Sequence, residues 1–159
     1  MISLLVLALV IGGGALYVRA IQHPIIVEEP GGGVRFGFIR SVSGNDGTSI
    51  AFDEARWIVG DEARHAAVAA GVCGADEEAC PPNDYFIVND ATTTVELPLA
   101  QGVTIAIVDA SGAEPQTEKT ISPKDFAALI NDVHHPKNIP YQLYVEHGLV
   151  TIIEETYVP

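Results

Sequence analysis

The segment GDEARHAAVAAGVCGADEEACPPNDYFIVND, residues 60–90, decides how the rest of the chain is read. Asp61 and Glu62 stand where a helix begins, and carboxylates there meet the positive end of the helix dipole. Asp61 is also placed to cap it. Ala63, Ala66, Ala67 and Ala70 recur on one narrow face at helical spacing. Side chains this small let a helix approach a sheet closely. Gly71 is a natural helix stop. His65 has no second ligand at i+4, so it reads as a surface or boundary residue of that helix.

Cys73 and Cys80 follow, with GADEEA between them. The spacing is not that of a CxxC redox motif. Two thiols without a suitably spaced histidine pair do not make a structural zinc site. Behind an apolar leader, an even pair reads as one disulfide closing a short loop. Pro81-Pro82 stiffens the exit, and Asp84 to Val88, DYFIV, has the aromatic and β-branched content of a buried strand.

Upstream, Val34 to Val42 alternates, with Val34, Phe36, Phe38 and Val42 expected on one face. Gly44-Asn45-Asp46-Gly47 predicts a turn, with Asp-Gly suited to type I′. Ser49 to Val59 predicts a second strand whose phase slips near Glu54-Ala55, a place for a bulge or bend. Trp57, the one tryptophan, is expected in the core, with ligand stacking as the alternative. Downstream, Thr92 to Leu99 is extended, and Pro98 places it at an edge or an end. Val103 to Val108 is a clean strand, and Asp109 to Lys119 reads as a surface loop. Ser122-Pro123 is an N-cap followed by an N1 proline, opening a helix with Phe126, Leu129, Ile130 and Val133 facing in. Tyr141 to Val145 and Leu149 to Glu154 flank a tight turn at His147-Gly148. The elements predict an α+β fold: a small, mostly antiparallel curled sheet or partly open barrel with two short helices, joined by hairpin-type connections.

Met1 to Val18 carries no charged side chain and is near the minimum length for a membrane span. A cleaved signal peptide is the rival reading, but the start lacks Lys or Arg and no small-x-small cleavage site follows. No cysteine follows the apolar run, which excludes a lipidated lipoprotein. Residues 1–19 are therefore expected to be an N-terminal transmembrane anchor, in contact with the membrane through residues 2–18. Residues 20–33 read as a Pro- and Gly-interrupted linker, and residues 34–159 as the folded domain. Arg19 speaks against an outside domain under the positive-inside rule; the cysteine pair speaks for one.

The formal net charge is −13. The cations Arg35, Arg40, Arg56, Arg64, Lys119, Lys124 and Lys137 are dispersed, so no basic stripe exists for nucleic acid. Adjacent carboxylates such as Asp53-Glu54 and Glu154-Glu155 point to opposite faces of a strand and do not form ready-made acid/base dyads. There is no GxSxG elbow and no phosphate loop. No cofactor is expected. Asp76, Glu77 and Glu78 are candidates for weak binding of a divalent cation, although they match no EF-hand loop.

Three stretches together resemble a family of small secreted or membrane-anchored bacterial proteins of uncharacterised function. The first holds Asp53, Trp57, Ile58, Gly60 and Ala63. The second holds Pro82, Asn83, Asp84, Tyr85, Phe86, Ile87 and Asn89, a PND[YF][YF]IxN pattern. The third holds Glu155, Tyr157, Val158 and Pro159, an Ex[YF]VP ending. The cysteine pair departs from that pattern. The resemblance implies an envelope location and a shared fold, not an activity. The expectation is a membrane-anchored, extracytoplasmic binding module of the bacterial cell envelope, its partner an envelope protein or small ligand. Trp57, Asn83, Asp84, Tyr85 and Asn89 are the candidate ligand-binding residues. Asn83, Asp84 and Asn89 equally serve as turn formers through side-chain-to-backbone bonds. The alternative activity is a hydrolase using carboxylates around Asp53, Asp84 and Glu155.

Overall fold

The computed structural model describes residues 32–44, 46–91, 93–109 and 117–158. The expected anchor and nearly all of the linker lie outside the described residues. Among those described, no helix is long and apolar enough to cross a membrane. In chain order the elements are β1 (Gly33–Ser43), β2 (Ser49–Glu54), β3 (Arg56–Val59), α1 (Gly60–Ala69), β4 (Tyr85–Val88) and β5 (Thr94–Asp109). They continue with β6 (Thr117–Thr120), α2 (Pro123–Asn131), β7 (Pro140–Glu146) and β8 (Leu149–Glu155).

Five strands close into a barrel. β1 pairs β2 and β7, β2 pairs β5, β5 pairs β8, and β8 pairs β7. Every pairing is antiparallel except β5 with β8. Counting barrel strands alone, the circuit runs first-second-third-fifth-fourth, with a helix between the third and fourth. That is the connectivity of the OB barrel, which closes a small sheet so that its strands lose their edges. The fold is thus α+β with a closed mixed barrel and a separate two-stranded ribbon, β3 with β4.

The barrel fills from alternate positions of each strand. Ile39, Ile50, Phe52, Ile105, Leu143, Val150 and Ile153 form its interior. Helix α2 adds Phe126 and Ile130, both buried, and Phe126 meets Tyr141 edge-on at 5.9 Å. Its start is the expected cap: Ser122 Oγ accepts the Asp125 N–H at 3.1 Å, with Pro123 at N1. At its end Asn131 imitates a strand partner. Its amide nitrogen donates to the Val42 carbonyl at 2.8 Å, and its amide oxygen accepts the Val42 N–H at 3.1 Å.

Several expectations are corrected. The inward face of β1 carries Gly37, Ile39 and Val42, with an irregularity between Ile39 and Ser41, whereas Phe36 and Phe38 point outward. The cause is at Gly37. A Cβ there would lie 2.2 Å from the Asp53 carbonyl oxygen and 2.9 Å from Phe52 Cζ, so only glycine lets β1 and β2 close over Phe52. Ala55 marks the expected bend, where the second strand divides into β2 and β3. Pro98 sits inside the long β5, not at its end. It falls where the strand leaves β2, opposite Ser49, and takes up β8 from Leu99, so a missing N–H is tolerated. Thr117 to Lys119, read as loop, belong to β6. The connections are not all hairpins, since α2 links β6 to β7, and β5 pairs β8 in parallel. The turn after β1 has positive φ at Gly44 and Gly47, and His147 and Gly148, both at positive φ, form the expected tight turn between β7 and β8. Asp61 lies in the first turn of α1 without capping it, since Val59 occupies the N-cap position.

The ribbon departs from the barrel between β2 and β5. Ala63 and Ala67 of α1 are fully buried against it, as the narrow alanine face predicts. Cys73 and Cys80 are joined, with Cα atoms 5.8 Å apart. Replacing both by serine is expected to lower stability by about 2.5 kcal/mol through the lost loop constraint. The shift would be read from urea midpoints. A reducing agent should produce it in the native protein and not in the double variant.

Candidate functional site

The bend at Ala55 swings β3 and β4 away from the barrel wall and leaves a cleft of about 690 Å³ between them. Trp57 supplies its ribbon side, on the face of β3–β4 that also carries Val59, Tyr85 and Ile87 at alternate and cross-strand positions, while α1 covers the other. Trp57 and Tyr85 stack with centroids 4.0 Å apart and planes 17° from parallel. Phe36 of β1 meets Trp57 edge-on at 5.7 Å. Phe36 reaches this wall only because Gly37 puts β1 in the unexpected phase. Gln142 of β7 and the tail residues Thr156 and Tyr157 complete the barrel side. Val34 and Tyr157, 61% and 55% exposed, are open to a ligand.

Charge in the cleft is organised in pairs. Arg35 grips Glu54 with two bonds, Nε to Oε1 at 3.0 Å and Nη2 to Oε2 at 2.6 Å. These bonds hold the Glu54 carboxyl below the usual carboxylate range, against the opposing effect of partial burial, and raise Arg35. The Arg35 guanidinium also lies over the Phe52 ring at 5.6 Å, closing the barrel end beneath the cleft. Arg56 bonds Glu62 at 3.0 Å on the exposed side.

The sequence candidates divide. Trp57 and Tyr85 come together as the aromatic wall. Asn89 does not face the cleft; its Nδ2 donates to Asp53 Oδ2 at 3.1 Å. Asp53 is 1% exposed and held by Arg40, Nε at 2.9 Å and Nη2 at 2.5 Å, while Arg40 Nη1 reaches the Lys137 carbonyl at 2.7 Å. Asn83 and Asp84 lie in the turn before β4, where Asp84 adopts φ 59° and its N–H meets the Pro81 carbonyl at 3.1 Å. Glu77 spends one carboxylate oxygen on the Gly74 N–H at 2.9 Å, beside Asp76 and Glu78 in the exposed disulfide loop. Among the described residues no three His, Cys, Asp or Glu side chains gather as metal ligands. Phe36, Arg35, Glu54 and Gln142 were not singled out, and nothing short of the correct phase of β1 would have found them.

The three carboxylates considered for hydrolysis lie on β2, before β4 and on β8, and no hydrogen bond joins any two of them among the described contacts. Asp53 has no surface to offer a substrate. Glu155 turns toward the barrel and accepts the Val108 N–H at 3.3 Å. Burial raises its carboxyl above the ordinary range, and the Val108 bond offsets only part of that. Burial, with Glu155 nearby, pushes the Tyr141 hydroxyl far above its own range. An acid whose folded value is raised contributes stability that is complete below its unfolded value and lost as pH rises through the folded one. Glu155→Gln is therefore expected to be more stable than the native protein at pH 7, with the difference vanishing below about pH 4. Urea unfolding across that range is the measurement.

Comparison with family models, with characterised proteins and with solved structures finds no match for this chain. The barrel connectivity carries no function of its own, because a fold of this kind hosts many.

Proposed function

We propose that this protein is a non-catalytic binding module of the bacterial cell envelope, tethered by residues 2–18 with the barrel outside the cytoplasm, and that the cleft between ribbon and barrel is its ligand site. The observation that carries the binding reading is the aromatic wall. Trp57, Tyr85 and Phe36 are held against one another beside an open cleft of about 690 Å³, a volume within the range of small-ligand sites. Aromatic residues and arginine are the side chains that dominate binding energy at recognition sites. The Cys73–Cys80 bridge supports an oxidising compartment, and the uncharged leader supports a membrane tether.

Because Trp57 is the only tryptophan, its emission reports the cleft directly. Full-length protein in detergent, titrated with peptide, saccharide and lipid fractions of a bacterial envelope, should show a saturable change in that emission. Tyr157→Ala should weaken it without changing the melting temperature. No response to any fraction would remove the reading. For the location, external protease should degrade the barrel in intact spheroplasts; full protection would place it inside.

A further inference from the structure

β1 has an unpaired stretch at the cleft. Its register with β7 covers Gly33 to Phe38, but its register with β2 begins only at Gly37. The Ala55 N–H donates to the Phe36 carbonyl at 2.8 Å, which fixes the side to which Phe36 turns its backbone groups. Backbone direction alternates along a strand, so Val34 turns its N–H and C=O to the same side, where β3 has already swung away. Among the described residues no strand pairs with that side of Val34. Its side chain is 61% exposed, and Val34 lines one cleft with Phe36 and Trp57.

We propose that the cleft binds an extended peptide of a partner protein, which adds to β1 as a short strand through the Val34 N–H and C=O and seats an apolar side chain against Trp57 and Phe36. The proposal rests on the reading of the cleft as the ligand site. Strand addition obtains affinity from main-chain bonds and selectivity from pockets for alternate side chains; here the open edge supplies the first and the aromatic wall the second. Charge gives the peptide a polarity. In a chain of net charge −13, the cleft is lined by Arg35, Arg56 and the single carboxylate Glu54. Arg35 is committed to Glu54 by two bonds. Arg56, in contrast, shares an exposed pair with Glu62, and exposed pairs exchange partners at little cost. An acidic residue flanking the apolar one therefore meets Arg56.

The test uses the full-length protein in detergent and three synthetic octapeptides: one of alternating valine and threonine with a glutamate at each end, the same peptide with lysine ends, and the first with alternate backbone nitrogens methylated. Trp57 emission gives affinity, and hydrogen exchange of the Val34 amide gives the mode. The acidic peptide is expected to bind saturably and to slow Val34 exchange at least tenfold. The methylated peptide, which lacks the donors, and the lysine peptide should each bind about tenfold or more weakly. Val34→Pro removes the edge donor at an exposed position and should cost a similar factor while leaving the melting temperature unchanged. Equal binding of the methylated peptide, or an unprotected Val34 amide, overturns strand addition. If an N-acetylglucosamine tetramer changes Trp57 emission and the peptides do not, the peptide class falls and the cleft stands. If neither does, both fall.

Discussion

Arg40→Ala is expected to destabilise the domain by about 3 kcal/mol, because it strands a buried carboxylate. Asp53 is 1% exposed, and among the described residues two of its three side-chain hydrogen bonds come from Arg40. Without the guanidinium, Asn89 alone faces the charge. The cost sits at the lower end of the range for broken buried pairs because Arg40 itself is 35% exposed and water can partly follow. The same geometry predicts an asymmetry. Asp53→Ala leaves a cation that can turn to solvent, so it should cost less than Arg40→Ala. The double variant should be more stable than Arg40→Ala alone, since it removes the uncompensated charge. Urea midpoints of the three variants measure all of this. A double variant no better than the single one would mean that Arg40 acts through its packing on Phe38, whose ring lies 4.9 Å below it, and not through charge.

How far the fold was readable in the sequence follows from what kind of interaction set each element. The alanine face of α1, the Ser122-Pro123 start of α2 and the slip at Glu54-Ala55 are local features, and each appears where its residues place it. Barrel closure is not local. Nothing in Thr94 to Asp109 announces that one strand serves β2 over its first half and β8 over its second, and the glycine and proline within it read as breaks. The phase of β1 failed for a similar reason. Alternation offers two faces, and the more aromatic was the reasonable choice for the core. The decision lay instead with the space above Phe52, which admits no side chain at position 37. That error hid the cleft, because Phe36 reaches its wall only in the true phase. Trp57 and Tyr85 were legible as candidates. Their stacking is set by the diagonal geometry of β3 and β4, whose paired residues lie 26 to 32 positions apart in sequence, a spacing that local patterns cannot carry. Asn89 was legible as a turn former and as a candidate contact, but its actual partner, Asp53, was not, because that residue comes from β2.

Phe126→Ala is expected to cost about 4 kcal/mol, the largest effect of any single change considered, and to do so without touching the cleft. Phe126 is fully buried, and it is the residue by which α2 enters the barrel core beside Tyr141. Truncation removes the transfer free energy of the ring and leaves a cavity bounded by strands that are hydrogen-bonded on both sides, so the surroundings cannot collapse to fill it. It also removes the edge-on partner of Tyr141, whose buried hydroxyl has no hydrogen-bond partner among the described residues. Phe126→Leu, which keeps most of the volume, should cost about 1.5 kcal/mol. The measurement is urea unfolding followed by Trp57 emission. The folded-state emission of both variants should match that of the native protein, because Trp57 belongs to the ribbon while Phe126 belongs to the barrel core and α2. A changed folded baseline in Phe126→Ala would show that core packing sets the cleft geometry through β1, the one strand that contributes both Ile39 to the interior and Phe36 to the wall. An unchanged baseline with a lowered midpoint would show that the barrel supplies stability and the ribbon recognition, each adjustable without the other.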